Sequence, residues 1–399
     1  MKYLHFMMDQ FYSKEFIELV QANFDSDDHY FIIFKYKTKK SHINPQEFHH
    51  LEVMEISLKE NLIDFMISSI RFIGISYSKL KKKMEQAKYI FVHYMTVDIS
   101  EILFRFRGSA KIIWAIWGVD LYTFLPLKLY DPYTRLALDS LDSKIKSLLR
   151  KSYLSFFYAL RKIVLKKVDY VIYPYKGDIS LFKKYFKTKA LCYYELIYPN
   201  PVDFEKFGIE INPNEFTELN YKKNDQPLIL LGNSGHPSNN HIDMLITLSR
   251  LKQQDFKIIC PLSYGIKAYI NQVVKKGKQL FGDRFVPLLE FLNPKFYTYI
   301  LKQIDLAIMN HNRQQAMGTI QILMYLGKRI CLKKTSAFFY LLQKGAHVFS
   351  TEDLEKLIKR EIELNEDMMD DNKQIALQNF SAESTLSSIE YIFNDLEQI

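Results

Sequence analysis

An apolar run, Leu228-Ile229-Leu230-Leu231, breaks into the polar stretch Gly232-Asn233-Ser234-Gly235-His236-Pro237-Ser238-Asn239-Asn240-His241 and then into a helical pattern from Ile242. Glycines at a strand-to-helix turn let backbone amides come close to an anion, and the helix N-terminus behind them adds partial positive charge. A diphosphate fits such a turn, although purely structural turns share its composition. A second polar constellation starts at Glu290-Phe291-Leu292-Asn293 and resumes, after one more helix and strand, at His311-Asn312-Arg313-Gln314-Gln315-Ala316-Met317-Gly318-Thr319-Ile320. Arg313 is suited to face a diphosphate, because a guanidinium stays protonated and binds phosphate oxygens in pairs.

Metal-assisted chemistry is not expected. Asp25-Ser26-Asp27 has the spacing of paired carboxylates on Mn²⁺ or Mg²⁺, but it falls on a polar turn between a first helix and a second strand. Such ligands belong at a strand end in a nucleotide-binding half, so these residues read as a solvated turn, no metal or other cofactor is implied, and a chelator is not expected to inhibit. Cys192, Cys260 and Cys331 lie far apart and form no C-x-x-C pair, which argues against a zinc site or a disulfide framework.

These loops need elements to hold them. Apolar runs at Tyr3–Met7, Tyr30–Phe34, Tyr89–His93, Lys111–Ile116 and Tyr170–Tyr173 alternate with helical patterns, the signature of a parallel sheet covered on both faces. A second series has strands at Leu228–Leu231, Lys257–Pro261, Phe285–Pro287, Leu306–Met309 and Arg329–Leu332. The 399 residues therefore divide into a Rossmann-like domain over 1–202, a polar linker over 203–226, a second Rossmann-like domain over 227–375 and a C-terminal helix over 376–399, with a break near Phe380-Ser381. Ligands of such sheets bind beyond the carboxyl ends of the strands, and two facing domains would leave a cleft between them.

The formal charge is +9, with 48% hydrophobic and 25% charged residues, a globular composition that asks for an acidic partner. Much of the basic character gathers in 128–167, where Lys144, Lys146, Arg150, Lys151, Arg161, Lys162, Lys166 and Lys167 surround apolar residues at helical spacing. One reading is a helix lying on an anionic membrane surface, each cation contributing about 1 kcal/mol; the other is a core helix with a solvated basic face. No stretch is long and apolar enough to span a bilayer, the N-terminus reads as a first strand and not a signal peptide, and no nucleic-acid motif accompanies the charge.

Taken together, His5, Trp114-Ala115-Ile116-Trp117-Gly118-Val119-Asp120-Leu121-Tyr122, Gly177-Asp178-Ile179-Ser180, the Gly232-Asn233-Ser234-Gly235 turn with Ser238-Asn239 and His241-Ile242, and Arg313-Gln314-Gln315 with Gly318-Thr319 resemble one family. It is that of the TDP-N-acetylfucosamine:lipid II N-acetylfucosaminyltransferases of enterobacterial common antigen synthesis, also called 4-alpha-L-fucosyltransferases, glycosyltransferase family 56. The match runs in order over about residues 1 to 335. The resemblance implies an α/β GT-B fold, a TDP-sugar donor, and a polyprenyl-diphosphate-linked saccharide acceptor at the cytoplasmic face of the bacterial inner membrane. It implies donor contacts from Gly232, Asn233, Ser234, Gly235, Asn239, His241, Arg313, Gln314, Gln315, Gly318 and Thr319. Gln321 stands where many such enzymes carry a glutamate for the ribose hydroxyls. The chain departs from the family in its acceptor half, with Met7-Met8-Asp9-Gln10 in place of a glycine-containing first turn and a longer basic insert.

Sugar transfer needs a stabilised leaving diphosphate and, if it inverts, a base near the acceptor hydroxyl. His93, at a strand end, and Asp120, in the Trp-Gly-Val-Asp loop, are the candidates; Asp120 has the alternative duties of capping a helix or holding its loop. Trp117 and Asp178 are candidate acceptor contacts, with N-capping as the other duty of Asp178. Two other classes stay in view: an epimerase or hydrolase acting on nucleotide-sugars, which would release sugar without an acceptor, and a non-catalytic basic binding module, which would leave the glycine turn and Arg313 unused.

Overall fold

The computed structural model describes residues 1–37, 41–56, 77–125, 127–141, 144–190, 192–199, 226–251, 255–292 and 294–398. The expected linker, apart from its last residue, and Asn293 lie outside these, as do the side chains of residues 144–151 and 153 in the basic segment. The chain folds as two compact units, each built on a parallel sheet.

Unit 1 comprises Met1–Pro126, Lys144–Pro201 and Ala382–Ile399. Its strands are β1 (Tyr3–Met8), β2 (His29–Tyr36), β3 (Leu51–Ile56), β4 (Tyr89–His93), β5 (Lys111–Ala115), β6 (Val168–Tyr173) and β7 (Cys192–Glu195), in the order β3-β2-β1-β4-β5-β6-β7. All pairings are parallel. β1 is buried along its whole length, as expected of a strand covered on both faces. β3 is an edge strand bearing the exposed Glu52 and Glu55, a polar pattern that hides it from a search for apolar runs. The chain order reverses between β1 and β4, so the ligand position of this sheet lies beyond Met8 and His93.

Unit 2 comprises Leu127–Ser143 and Val202–Ser381. Its strands are β8 (Leu228–Leu231), β9 (Lys257–Pro261), β10 (Phe285–Leu288), β11 (Leu306–Met309), β12 (Arg329–Leu332) and β13 (Phe349–Ser350), ordered β10-β9-β8-β11-β12-β13 and again all parallel. The reversal falls between β8 and β11, the two strands that feed the polar constellations singled out in the sequence.

The units correct the expected boundaries in two places. Residues 127–143 belong to unit 2 and not to the N-terminal domain, because the Asp243 carboxylate accepts from the N–H groups of Tyr133 and Thr134, both at 2.8 Å, and so caps the helix Pro132–Asp139. The C-terminal tail splits after Phe380: the helix Glu366–Phe380 stays with unit 2, whereas Ala382–Gln398 returns to unit 1. There Ile389, Ile392, Phe393 and Leu396 join the core around Tyr3, Phe31 and Phe91, and Thr385 donates to the Ile197 carbonyl at 3.0 Å.

The basic segment resolves into the helix Lys144–Leu165. Phe157, Leu160, Val164 and Leu165 are buried, so its described apolar stripe faces the protein core and not a bilayer. Arg161, counted with the basic face in the sequence, is in fact inside. Its guanidinium donates to the carbonyls of Asp120 (2.8 Å) and Met95 (2.5 Å) and lies over the Phe124 ring at 4.6 Å. Burial lowers its pKa to about 10. Lys167 is also structural: its ammonium donates to the carbonyls of Leu103, Phe104 and Phe106, each at 2.8 Å, and so satisfies the end of the helix Val97–Arg105. What remains exposed at the C-terminal end of the long helix is Phe156 and Ile163 beside Lys162 and Lys166. Among the described residues no helix is long and apolar enough to cross a membrane.

Candidate active site

The turn after β8 is built around Gly232, whose φ of +71° is open to glycine and strained for other residues. A Cβ there would stand 2.6 Å from Asn239 Oδ1 and 2.8 Å from His241 Nε2. The side chain of Asn239, fully buried, fixes the loop. Its Oδ1 accepts from the Asn233 N–H (3.0 Å) and from His311 Nε2 (2.8 Å), and its Nδ2 donates to the His236 carbonyl (3.0 Å) and Ser234 Oγ (3.2 Å). His311 must therefore carry its proton on Nε2.

A second glycine locks the loop to its neighbour. Gly265, at φ +140°, meets Gly235 in a one-residue parallel bridge, and a Cβ there would lie 2.3 Å from the Gly235 carbonyl carbon. The Gly235 N–H donates to the Tyr264 carbonyl at 2.7 Å.

The two polar loops meet over the reversal point. Ser238 Oγ donates to Gln315 Oε1 at 2.5 Å, and Gln315 Nε2 donates to Asn233 Oδ1 at 3.3 Å. Behind them Asn240, held at φ +50°, donates to the carbonyls of Leu129 (3.2 Å) and Asn310 (3.1 Å) and accepts from the Asp131 N–H (2.8 Å). Asp131 in turn accepts from Asn312 Nδ2 at 2.8 Å and pairs with Lys333. Residues 127–143, read from sequence as part of the basic insert, thus brace the loops of unit 2.

Two helices begin here, His241–Ser249 and Met317–Tyr325. Their first N–H groups have no partner within the helix. The latter is entered through Ala316 at φ +64°, a strained conformation that turns the chain sharply before Gly318 and Thr319. His241 is fully buried, with neither ring nitrogen hydrogen-bonded, and its Nε2 points at the Gly232 turn. Arg313 is nearly buried, and its charge lowers the pKa of His311, after burial itself; burial and then Arg313 take His236 down to about 4. The loop therefore keeps neutral imidazoles under one guanidinium.

The structure thus assembles Gly232, Asn233, Ser234, Gly235, Asn239, His241 and Gln315 with Arg313 nearby, while Gln314 lies half-buried on the second loop and Gly318 and Thr319 lie half-buried in the first turn of the helix that follows it. Gln321 is 3% exposed, in the helix Met317–Tyr325. Sequence reading missed Ser238 as a link to Gln315, His311, Asn240, Asp131 and Lys333. The positive φ at Asn240 was the one local hint available, since Asn tolerates it.

In unit 1 both candidate bases are enclosed. Asp120 is buried and its carboxylate is fully engaged: Oδ1 accepts from the Trp117 N–H, and Oδ2 accepts from the Met95 N–H and Trp114 Nε1, all at 3.0 Å. Burial raises its pKa, opposed chiefly by Arg161. Asp120 therefore holds its loop, the alternative weighed above. Asp178 is buried and accepts from the Tyr122 hydroxyl at 2.5 Å; it does not cap its helix, whose N-cap is Tyr175. His93 is fully enclosed, with one nitrogen on Tyr198 and the other 3.0 Å from His5. It cannot touch a substrate directly. Trp117 stays half-buried at the carboxyl edge of the sheet, with Tyr198 (ring centroids 4.8 Å), Tyr94 (6.0 Å) and Tyr12 (6.2 Å) around it. Asp25 lies on a surface turn, its side chain accepting from the Asp27 N–H at 2.9 Å, and among the described residues no group of three or more His, Cys, Asp and Glu is arranged to hold a metal.

Two parallel-sheet units of this kind make up the GT-B fold, and solved structures share it. Sucrose-phosphate synthase from Thermosynechococcus elongatus is similar over 100% of both chains at 10% identity (TM-score 0.66). Anabaena HepE in complex with UDP and glucose is similar over 99% of this chain and 100% of its own at 12% identity (TM-score 0.65). An E. coli trehalose-6-phosphate protein bound with UDP-2-fluoro glucose is similar over 100% of this chain and 99% of its own at 11% identity (TM-score 0.69). The family model described as 4-alpha-L-fucosyltransferase, glycosyl transferase group 56, matches residues 146–387, more than half of the chain. The protein belongs to that family and is a glycosyltransferase.

Proposed function

We propose that this transferase moves an N-acetylfucosamine-type deoxyamino sugar from a TDP-sugar to a polyprenyl-diphosphate-linked saccharide at the cytoplasmic face of the bacterial inner membrane. The observation that carries the donor half is the Gly232 turn, with the unpartnered imidazole of His241 beneath it and Arg313 on the facing loop. Backbone amides, two helix N-termini and one guanidinium take up the charge of the departing diphosphate, a role that metal ions fill in other transferases. The reaction is accordingly metal-independent. Unit 1 supplies the acceptor side, where the half-buried rings of Trp117, Tyr94, Tyr12 and Tyr198 offer flat apolar faces to a sugar. The exposed Phe156 and Ile163, on the helix that carries the exposed Lys162 and Lys166, favour contact with an anionic bilayer.

The deciding experiment is a thermal-shift or calorimetric series of TDP, UDP, GDP and CMP. TDP should raise the melting temperature most. An equal response to all four, or none, would remove the donor assignment.

A further inference from the structure

Three buried imidazoles of unit 1 and the half-buried Tyr198 form one unbroken hydrogen-bonded chain. Tyr198 OH bonds His93 Nδ1; His93 Nε2 lies 3.0 Å from His5 Nδ1; His5 Nε2 lies 3.0 Å from His29 Nδ1. Strand register explains the alignment. His5 on β1 stands opposite Phe31 on β2 and Phe91 on β4, so His29 and His93 are each two residues from a partner of His5, one below and one above. Side chains two apart share a sheet face, and the three imidazoles therefore run diagonally across one face, from the amino end of β2 to the carboxyl end of β4. The face is otherwise apolar, with Tyr3, Phe16, Phe31, Phe91 and Phe393 packed around the rings.

We propose that His29, His5, His93 and Tyr198 form a proton relay that takes up the proton of the acceptor hydroxyl during sugar transfer, with Tyr198 as the group that meets the acceptor. The inference rests on the transferase reading above. A neutral imidazole has one N–H and one bare nitrogen. In a head-to-tail chain this allows two arrangements: every bond donates from Tyr198 toward His29, or every bond donates the other way. A satisfied apolar core would need none of this, and three aromatic rings would avoid the cost of burying polar nitrogens. The chain ends next to Trp117, at the edge where ligands of this sheet belong, and Tyr198 is the one half-buried member.

The step balances as follows. The acceptor oxygen bonds the anomeric carbon of the donor as the bond from that carbon to the diphosphate breaks, and the nucleoside diphosphate leaves with the electron pair. The acceptor proton passes to Tyr198 O, the Tyr198 proton to His93 Nδ1, the His93 Nε2 proton to His5 Nδ1, and the His5 Nε2 proton to His29 Nδ1. His29 becomes an imidazolium transiently, disfavoured first by burial, favoured by the Asp25 carboxylate and disfavoured again by Lys2. When product leaves, the proton returns along the same path to water at Tyr198, and every tautomer is restored.

The test is His5→Gln, which keeps hydrogen-bonding capacity in mid-chain but cannot take a proton at one atom while releasing one at another. With TDP-sugar and lipid-linked acceptor, kcat should fall at least about tenfold while both KM values stay within about twofold. The proton inventory in H₂O/D₂O mixtures should change from curved to linear. ¹⁵N-histidine NMR of the wild-type protein gives a reading that needs no variant to fold: His93, His5 and His29 should all carry the proton on Nε2. A proton on Nδ1 of His93 in the resting enzyme overturns the relay, as does His5→Gln with wild-type kcat. Wild-type protein inert toward every nucleotide-sugar tried would instead bring down the transferase reading, and the relay with it.

Discussion

Acid should weaken unit 1 steeply between pH 7 and pH 5. His29 and His93 titrate at about 4 and about 3, both driven down by burial, and His5 lies well below its ordinary 6.5 through burial and then the neighbouring His29 and His93. In the unfolded chain each titrates near 6.5. Because the folded values are depressed, the unfolded chain binds more protons throughout this window, and stability present above pH 6.5 is lost as pH falls toward the folded values. For folded values of about 4 and about 3, the loss from pH 7 to pH 5 is about 1.8 kcal/mol per ring for His29 and His93, and His5 adds to it in the same direction. Asp120, whose carboxyl is raised by burial, acts in the opposite sense. The charges facing His29 are Asp25 and Lys2; His93 and His5 face each other and Tyr198. Both tryptophans of the chain, Trp114 and Trp117, lie in unit 1, so urea unfolding followed by tryptophan fluorescence reports this unit. His5→Phe should remove part of the pH dependence. A loss below about 1 kcal/mol over the two pH units, or an undiminished slope in His5→Phe, refutes the reasoning.

Arg313→Ala should lower turnover at least tenfold, about 1.4 kcal/mol or more of transition-state stabilisation; near-normal rates would take Arg313 out of the site. Gly232→Ala forces a Cβ against Asn239 and His241 at positive φ. It should cost about 1–3 kcal/mol of stability in denaturant titration and abolish the thermal shift given by TDP, and an unchanged shift would separate the turn from the donor. Asp120→Asn sets an NH₂ group against donors and leaves Arg161 without its counter-charge, so it should destabilise unit 1 by about 3 kcal/mol while the folded enzyme keeps most of its kcat. Lost kcat at an unchanged melting temperature would return Asp120 to the role of base. Replacing Lys162 and Lys166 with glutamine, and leaving the structural Lys167 alone, should release protein from anionic vesicles; unchanged sedimentation would make that face merely solvated.

Local pattern carried much of the fold. Strands β8, β9, β11 and β12 begin and end where their apolar runs do, because a buried parallel strand is apolar throughout and bounded by turn residues. β3, β7 and β13 escaped, and all three lie at the edges of their sheets, where β3 and β7 carry glutamates and β13 is only two residues long. On the donor side, the glycine turn and the Arg313 loop were visible as residue types. On the acceptor side, His93 and Asp120 were visible as titratable groups at strand ends, yet their partners were not, since Met95, Trp114 and Arg161 reach Asp120 from separate elements.

The sequence by itself determined two parallel-sheet units and the polar loops at their strand ends, because periodicity, glycine placement and charge are local properties. Only the tertiary structure decided that residues 127–143 brace unit 2, that the last helix closes unit 1, and that Arg161 and Lys167 face inward. It also decided that His29, His5 and His93 touch, across 88 residues of chain. The physical reason is register: which residues of β1, β2 and β4 stand opposite one another is fixed by packing both faces of the sheet, and no spacing along the chain encodes it.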